Sequence, residues 1–222
     1  MNDRQSVGQT NFFYLLGALL FLLFAIPLAH DVDFISPELV RGFFFSMLMI
    51  VGVHSLKGGG RYFTIGMILA AIGVGLNLLA INQSSAASQY GSFLSLLAFL
   101  LVSISFTLRQ VVYGTEMNAN RMVGAVCVYL LLGVIWALAY SLVAFAAPSS
   151  FSGVEPYAKN GWDSSWIYFS FVTLTTLGYG DITPVSATAR SLAYLQAVTG
   201  QFYLALLVAG MVGAYTSNKQ SS

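Results

Sequence analysis

The chain has 222 residues, 57% hydrophobic and only 8% charged, with a formal net charge of +1. Soluble domains carry about 25% charged residues, so these side chains cannot build an aqueous surface. With no acidic or basic tail, the charge pattern also gives no reason to expect nucleic acid as a partner.

Four stretches contain no Asp, Glu, Lys or Arg: between Arg4 and Asp31, Arg61 and Arg109, Arg121 and Glu155, and Arg190 and Lys219. A spanning helix needs about 20 mostly apolar residues. The second stretch is long enough for two, divided by the polar run Asn82-Gln83-Ser84-Ser85. The pattern predicts helices over 11–29, 39–56, 62–81, 91–111, 122–146 and 188–216, with Glu38 and Arg41 crowding the start of the second. The fold class is therefore an all-α membrane protein with six transmembrane helices. The first apolar run is longer than the roughly 7–15 residues of a signal peptide's core, and Pro27-Leu28-Ala29 is a poor cleavage site. Asn82-Gln83-Ser84 is a formal glycosylation sequon, a triplet common by chance. Cys127, the single cysteine, reads as a small buried hydrophobe. His54 reads as an interfacial side chain, Asn77 as an interhelical hydrogen-bond partner, and Gly58-Gly59-Gly60 as a flexible inner turn.

Lysine and arginine in short loops set orientation. With both termini cytoplasmic, the inner side holds Arg4, Lys57, Arg61, Arg109, Arg121 and Lys219, and the outer side Arg41, Lys159 and Arg190. Of the acids, Asp3 and Glu116 then fall inside, while Asp31, Asp33, Glu38, Glu155, Asp163 and Asp181 fall outside. A negative outer face concentrates cations.

Between the fifth and sixth spans, Asp163-Ser164-Ser165 is a helix-start signal. The twelve residues from Ser164 to Thr175 make about 18 Å of helix at roughly 1.5 Å per residue. That is too short for a hydrocarbon core of roughly 30 Å, so the segment reads as a re-entrant half-helix whose C-terminal dipole favours a cation. The following backbone, TLGYGD, must run non-helically at membrane depth, which is tolerated only where it is buried in protein or lines a watery path.

Thr176-Leu177-Gly178-Tyr179-Gly180-Asp181 resembles the signature of potassium channels, usually written with Val in second place. In that family, a standard example in general accounts of ion selectivity, four such loops replace the ion's hydration shell with carbonyl oxygens. The resemblance covers Val123 to Tyr215 as outer helix, pore helix, filter and inner helix. It implies a K⁺-binding selectivity filter at Thr176, Leu177, Gly178, Tyr179 and Gly180, with Asp181 at the outer mouth and Trp166, Tyr168, Phe169 and Thr175 as supports. The glycines suit it because stacked carbonyls need alternating left- and right-handed backbone, and glycine takes φ > 0 freely. One signature per chain implies four chains per pore, closed as a ring. Two pore helices after four others resemble the six-helix subfamily that includes the voltage-gated members. The domains are then 1–121, a four-helix transmembrane domain, and 122–222, the pore domain.

The chain also departs from those relatives. Their fourth helix carries a basic residue at every third position, whereas 92–108 here holds no charge, so this domain reads as non-sensing, a scaffold or a site for a lipid or small ligand. Tyr168 and Phe169 replace paired tryptophans, and Val172 stands where some two-helix channels place a glutamate. Tyr168 can still donate a hydrogen bond toward Asp181 of the neighbouring loop. Gly200 matches a hinge glycine of many members, with close helix packing as its other reading. Leu204, Val208, Met211 and Val212 are candidates for an inner constriction. No cytoplasmic ligand-binding domain follows in this sequence.

The sequence thus reads as a homotetrameric, potassium-selective, weakly voltage-sensitive channel of a plasma membrane. It has no catalysis, no organic cofactor, membrane lipids around it, and no nucleic-acid or soluble partner in evidence. A non-conducting sensor or regulatory subunit retaining the pore fold is the alternative. A carrier lacks support, because paired broken helices are absent.

Overall fold

The computed structural model describes residues 12–30, 46–53, 56, 60–83, 86–113, 119–154 and 164–220. Outside these lie the N-terminus with Asp3 and Arg4, residues 31–45, and His54, Lys57, Gly58, Gly59, Ser84, Glu116, Glu155, Lys159 and Asp163, so the expectations resting on them are not addressed.

Helix α1 spans Phe12–His30 and α2 is described over 46–53. Then come α3 (Arg61–Gln83), α4 (Ala86–Tyr113) and α5 (Ala119–Ala146). A short 3-10 turn at Pro148–Ser150 leads into strand β1 (Phe151–Ser152). The remainder is α6 (Ser164–Leu174), β2 (Thr183–Pro184) and α7 (Ala187–Gln220). Among the described residues, four helical stretches are long and apolar enough to cross a membrane: Arg61–Leu79, Ala87–Val112, Ala119–Ala146 and Ala187–Gly210. Within the described residues α1 contributes a shorter apolar run, Phe12–Phe24. The protein is mostly helical, and its helices fall within a few residues of the charge-free stretches, since a charge inside the bilayer is costly and marks where a span stops. The two-residue strands are the exception the hydropathy pattern does not carry.

Helix α5 is the centre of the packing. It touches α1, α4, α6 and α7, while α3 packs chiefly on α4. Small residues let α3 and α4 approach. A side chain at Gly73 would sit 2.8 Å from the Ser95 hydroxyl, which instead donates to the Leu69 carbonyl at 2.9 Å. Such cross-helix bonds replace the hydrophobic drive that lipid removes. Asn77, expected in that role, is buried but makes no cross-helix hydrogen bond among the described residues. Ser95 supplies the bond about two turns away. Tyr90 and Phe145 close the α4–α5 contact, edge to face with centroids 4.5 Å apart. Cys127 is buried, its thiol against the Phe12 carbonyl at 3.6 Å.

One junction ties three helices together. Arg121, at the start of α5, donates from Nε to the Val111 carbonyl at 2.5 Å and from its terminal nitrogen to the Val112 carbonyl at 3.1 Å. Those are end carbonyls of α4, without helical partners and at the negative dipole end, where a guanidinium is favoured. Next to it, the Asn120 side chain accepts from the Phe12 backbone N–H at 2.9 Å at the start of α1. Arg121→Met keeps the stem and removes both bonds. It should lower stability by about 1–2 kcal/mol, read as a drop in unfolding temperature in detergent, and a wild-type value would refute the capping role.

Candidate functional site

Helix α6 has 11 residues, about 16 Å at roughly 1.5 Å per residue. Its stop is defined by hydrogen bonds. The Thr176 N–H reaches the Thr173 carbonyl at 3.0 Å, and the Leu177 N–H reaches the Val172 carbonyl at 2.9 Å. This is the pairing of a Schellman cap, whose hinge residue is left-handed and normally glycine. Here that residue is Thr176, with φ 61°, and no other non-glycine among the described residues has positive φ. A β-branched residue in that region is strained, at a cost of about 1–3 kcal/mol. Thr175 reinforces the turn, its hydroxyl donating to the Phe171 carbonyl at 2.7 Å.

Beyond the cap the backbone alternates. Thr176, Gly178 and Gly180 have φ of 61°, 59° and 81°, while Leu177 and Tyr179 between them are not left-handed. Among the described residues, no carbonyl from Thr176 to Gly180 accepts a backbone hydrogen bond. The segment lies exposed on the single chain, Leu177 at 56% and Tyr179 at 67%. A Cβ built at Gly178 or Gly180 meets nothing within 4 Å, so φ rather than space selects glycine there. A run of unpaired carbonyls on alternating backbone is a set of neutral oxygen ligands for a hard cation.

The outer end is fastened twice. The Tyr168 hydroxyl donates to Asp181 Oδ2 at 2.6 Å, and the Tyr168 and Tyr179 rings stack 6.4 Å apart, 7° from parallel. That hydrogen bond is the main reason the Asp181 carboxyl is held below the usual carboxylate range; backbone N–H bonds add to it and partial desolvation opposes it. On the other side β1 pairs with β2 antiparallel, Phe151 opposite Pro184 and Ser152 opposite Thr183. Gly153, with φ 79°, follows the strand, and any Cβ there would overlap the Asp181 carbonyl. Ser186 then starts α7, its hydroxyl accepting from the Ala189 N–H at 3.2 Å.

Trp166 and Phe169, read as supports of the segment after α6, are buried. They pack behind it with Phe151 and Tyr140: Phe151 meets Trp166 at 4.9 Å, and Tyr140 meets Phe169 at 4.8 Å, centroid to centroid. Behind them lies a buried polar chain that sequence reading missed. The Tyr140 hydroxyl donates to Gln196 Oε1 at 2.5 Å. Gln196 Nε2 donates to the Ser170 carbonyl at 2.9 Å and hydroxyl at 2.7 Å. The Ser170 hydroxyl donates to the Gly133 carbonyl at 2.7 Å. The one available signal was a lone glutamine in the apolar run AYLQAVTG.

Helix α7 runs unbroken through Gly200, where a Cβ would stand 2.7 Å from the Leu174 carbonyl at the end of α6. The structure therefore gives Gly200 a packing contact directly under the filter segment. Further along α7, Leu204 and Val208 are exposed, at 37% and 58%. Met211 and Val212 are helical, their side chains outside the described residues.

Residues 125–217 match a family model described as ion channel, a channel family and not an enzyme family. The match runs from within α5 to near the end of α7 and contains every feature just described. No curated protein and no solved structure matches the chain.

The Tyr168–Asp181 bond predicts a pH dependence. A carboxyl held low stays charged as pH falls, and loses its charge, with the bond, only below the ordinary carboxylate range. Tyr168→Phe removes the largest cause and lets Asp181 protonate at higher pH. Chemical-shift titration of a labelled Asp181 should show that upward move, and identical midpoints in the two proteins would refute it.

Proposed function

We propose that the chain is one subunit of a homotetrameric potassium-selective channel. The reading has six spans, both termini cytoplasmic, and a plasma-membrane location. The observation that carries it is the alternation of left-handed backbone at 176, 178 and 180 along unpaired carbonyls. Four copies of Thr176 to Gly180 facing one axis stack these oxygens into rings. Each ring interval takes a dehydrated K⁺, and the Thr176 hydroxyl adds a ring at the inner end. Neutral ligands bind tightly enough to replace hydration and loosely enough to let the ion go. The exposed face of Leu177 and Tyr179 would be covered by neighbouring copies.

In this reading the domain division falls near residue 121. The first part, 1–121, is a non-sensing wall. The second, 122–222, conducts, with Asp181 gathering cations at the mouth. Leu204, Val208, Met211 and Val212 line the inner end, where apolar side chains brought together close the path by dewetting.

Flux decides. In proteoliposomes of purified protein, reversal potentials should follow the K⁺ gradient and barium should block. Equal Na⁺ and K⁺ permeability would sink the assignment, and absence of flux would favour the non-conducting regulatory subunit. Gly178→Ala should abolish selective flux, because its Cβ opposes φ > 0.

Voltage gives a separate test. Each charge moved through the field contributes about 2.3 kcal/mol per 100 mV, and α4 from Ala86 to Tyr113 carries only Arg109. The conductance–voltage curve should be shallow. A gating charge of several elementary charges per channel would overturn this.

A further inference from the structure

We propose that Gln196 is a positioning residue that locks the upper part of α7 to α6, so that α7 moves only beyond Tyr203. The proposal rests on the channel reading for its consequence, but the lock itself is geometric. Gln196 and Gly200 stand four residues apart on α7, and Ser170 and Leu174 stand four apart on α6, one helical turn in each case. The two turns mate. Gln196 bonds both oxygens of Ser170, and Gly200 lets α7 lie against the Leu174 carbonyl.

The amide is fully used. Nε2 gives two bonds and Oε1 accepts one from Tyr140. Gln196, Tyr140 and Ser170 are all wholly buried, where an unpaired polar group is costly. Sliding α7 along α6 would strand all three at once, so the contact is either made or broken as a unit.

The fastening continues past Gly200. The Tyr203 hydroxyl donates to the Ala125 carbonyl at 2.6 Å, and its ring stacks on Tyr129, 6.0 Å between centroids. The Tyr129 hydroxyl in turn meets the Leu174 carbonyl at 3.5 Å. From Ala187 to Tyr203, α7 is thus bound to α5 and α6. Below that, Val208 is exposed and a Cβ at Gly210 would meet nothing within 4 Å. The bend of an opening inner helix then falls beyond Tyr203, and Gly200 serves the lock. Motion of the lower half then leaves the carbonyl segment undisturbed.

The test is amide hydrogen exchange on the purified full chain in lipid nanodiscs, with single-channel recording beside it. In the wild type, α7 amides should be protected through Tyr203 and exchange at least tenfold faster beyond Gly210. Gln196→Met keeps the shape and removes the bonds. It should speed exchange across α6 by at least tenfold, the effect of losing three buried hydrogen bonds, and should shorten K⁺ bursts. Tyr140→Phe should give a smaller effect alone and none on top of Gln196→Met, because its partner is already gone. Unchanged α6 exchange in Gln196→Met, additive effects in the pair, or a protection boundary at Gly200 would each overturn the proposal. If Gln196→Met does not fold, unchanged α6 exchange in Tyr140→Phe alone overturns it. A wild type that passes no K⁺ would refute the channel reading, and the exchange pattern would still decide the lock.

Discussion

A backbone carbonyl away from water needs a partner, and from Thr176 to Gly180 the described chain offers none. Helices satisfy this demand internally, which is why they make up nearly all of the described residues. The segment after α6 breaks that rule for five consecutive residues. Every neighbouring feature acts to hold this one segment in place. Below it, α6 ends in a cap with both bonds made. Above it, Tyr168 holds Asp181, and the β1–β2 pair fixes the chain just beyond. In the proposed channel, a cation whose hydration shell these oxygens replace is the partner that resolves the deficit.

The strain at Thr176 belongs to the same economy. Glycine would complete the cap at lower cost. Threonine is there instead, and its hydroxyl stands at the inner end of the unpaired run. A strained residue persists when its surroundings over-determine it. Here the constraints are the two cap bonds on one side and the alternating backbone on the other. The support behind them is neutral throughout: phenol, amide, hydroxyl and carbonyl. Next to this support stands Val172, buried and apolar. The polar tie runs through Ser170 and Gln196, facing α5 and α7, and no ionisable carboxyl is part of it.

Much of this was legible in the sequence, and the reason is the solvent. Within a bilayer, charge marks the ends of helices, so 62–81, 122–146 and 188–216 lie close to α3, α5 and α7. The half-helix followed from its length, and the glycines at 178 and 180 from the φ they take. What could not be read depends on contacts across the fold. Thr176 is left-handed because of a cap that forms only once α6 stops. Gly153 is needed because Asp181 arrives beside it from about thirty residues away. Gln196 looks like an isolated polar residue until α5 and α6 bring Tyr140 and Ser170 to it. Trp166 and Phe169 carry no signal in the sequence of the rings they meet, Phe151 and Tyr140. Gly200 shows the limit of residue type most directly. Glycine suits both a bend and a close approach, and the Leu174 carbonyl, 2.7 Å from a Cβ built there, is a contact no residue type announces.

The helices before α5 answer to a different demand. A helix that shifts in an electric field must carry charge and must also be able to leave its contacts. Helix α4 does neither in its middle. Several of its polar side chains are committed at short range, Ser95 to the Leu69 carbonyl across to α3 and Thr107 back to the Ser103 carbonyl, while the Ser103 hydroxyl is buried without a partner among the described residues. The aromatic side chains Tyr62 and Phe106 fill the α3–α4 seam. Its end carbonyls are held by Arg121 of α5. Moving α4 would break all of these for a field that has only Arg109 to act on. Because the same α5 also carries the Gly133 carbonyl that receives Ser170, this helix joins α1 and α4, which pack on it, to the support of the carbonyl segment. In the proposed channel, the first four helices act on the pore chiefly through these two contacts with α5.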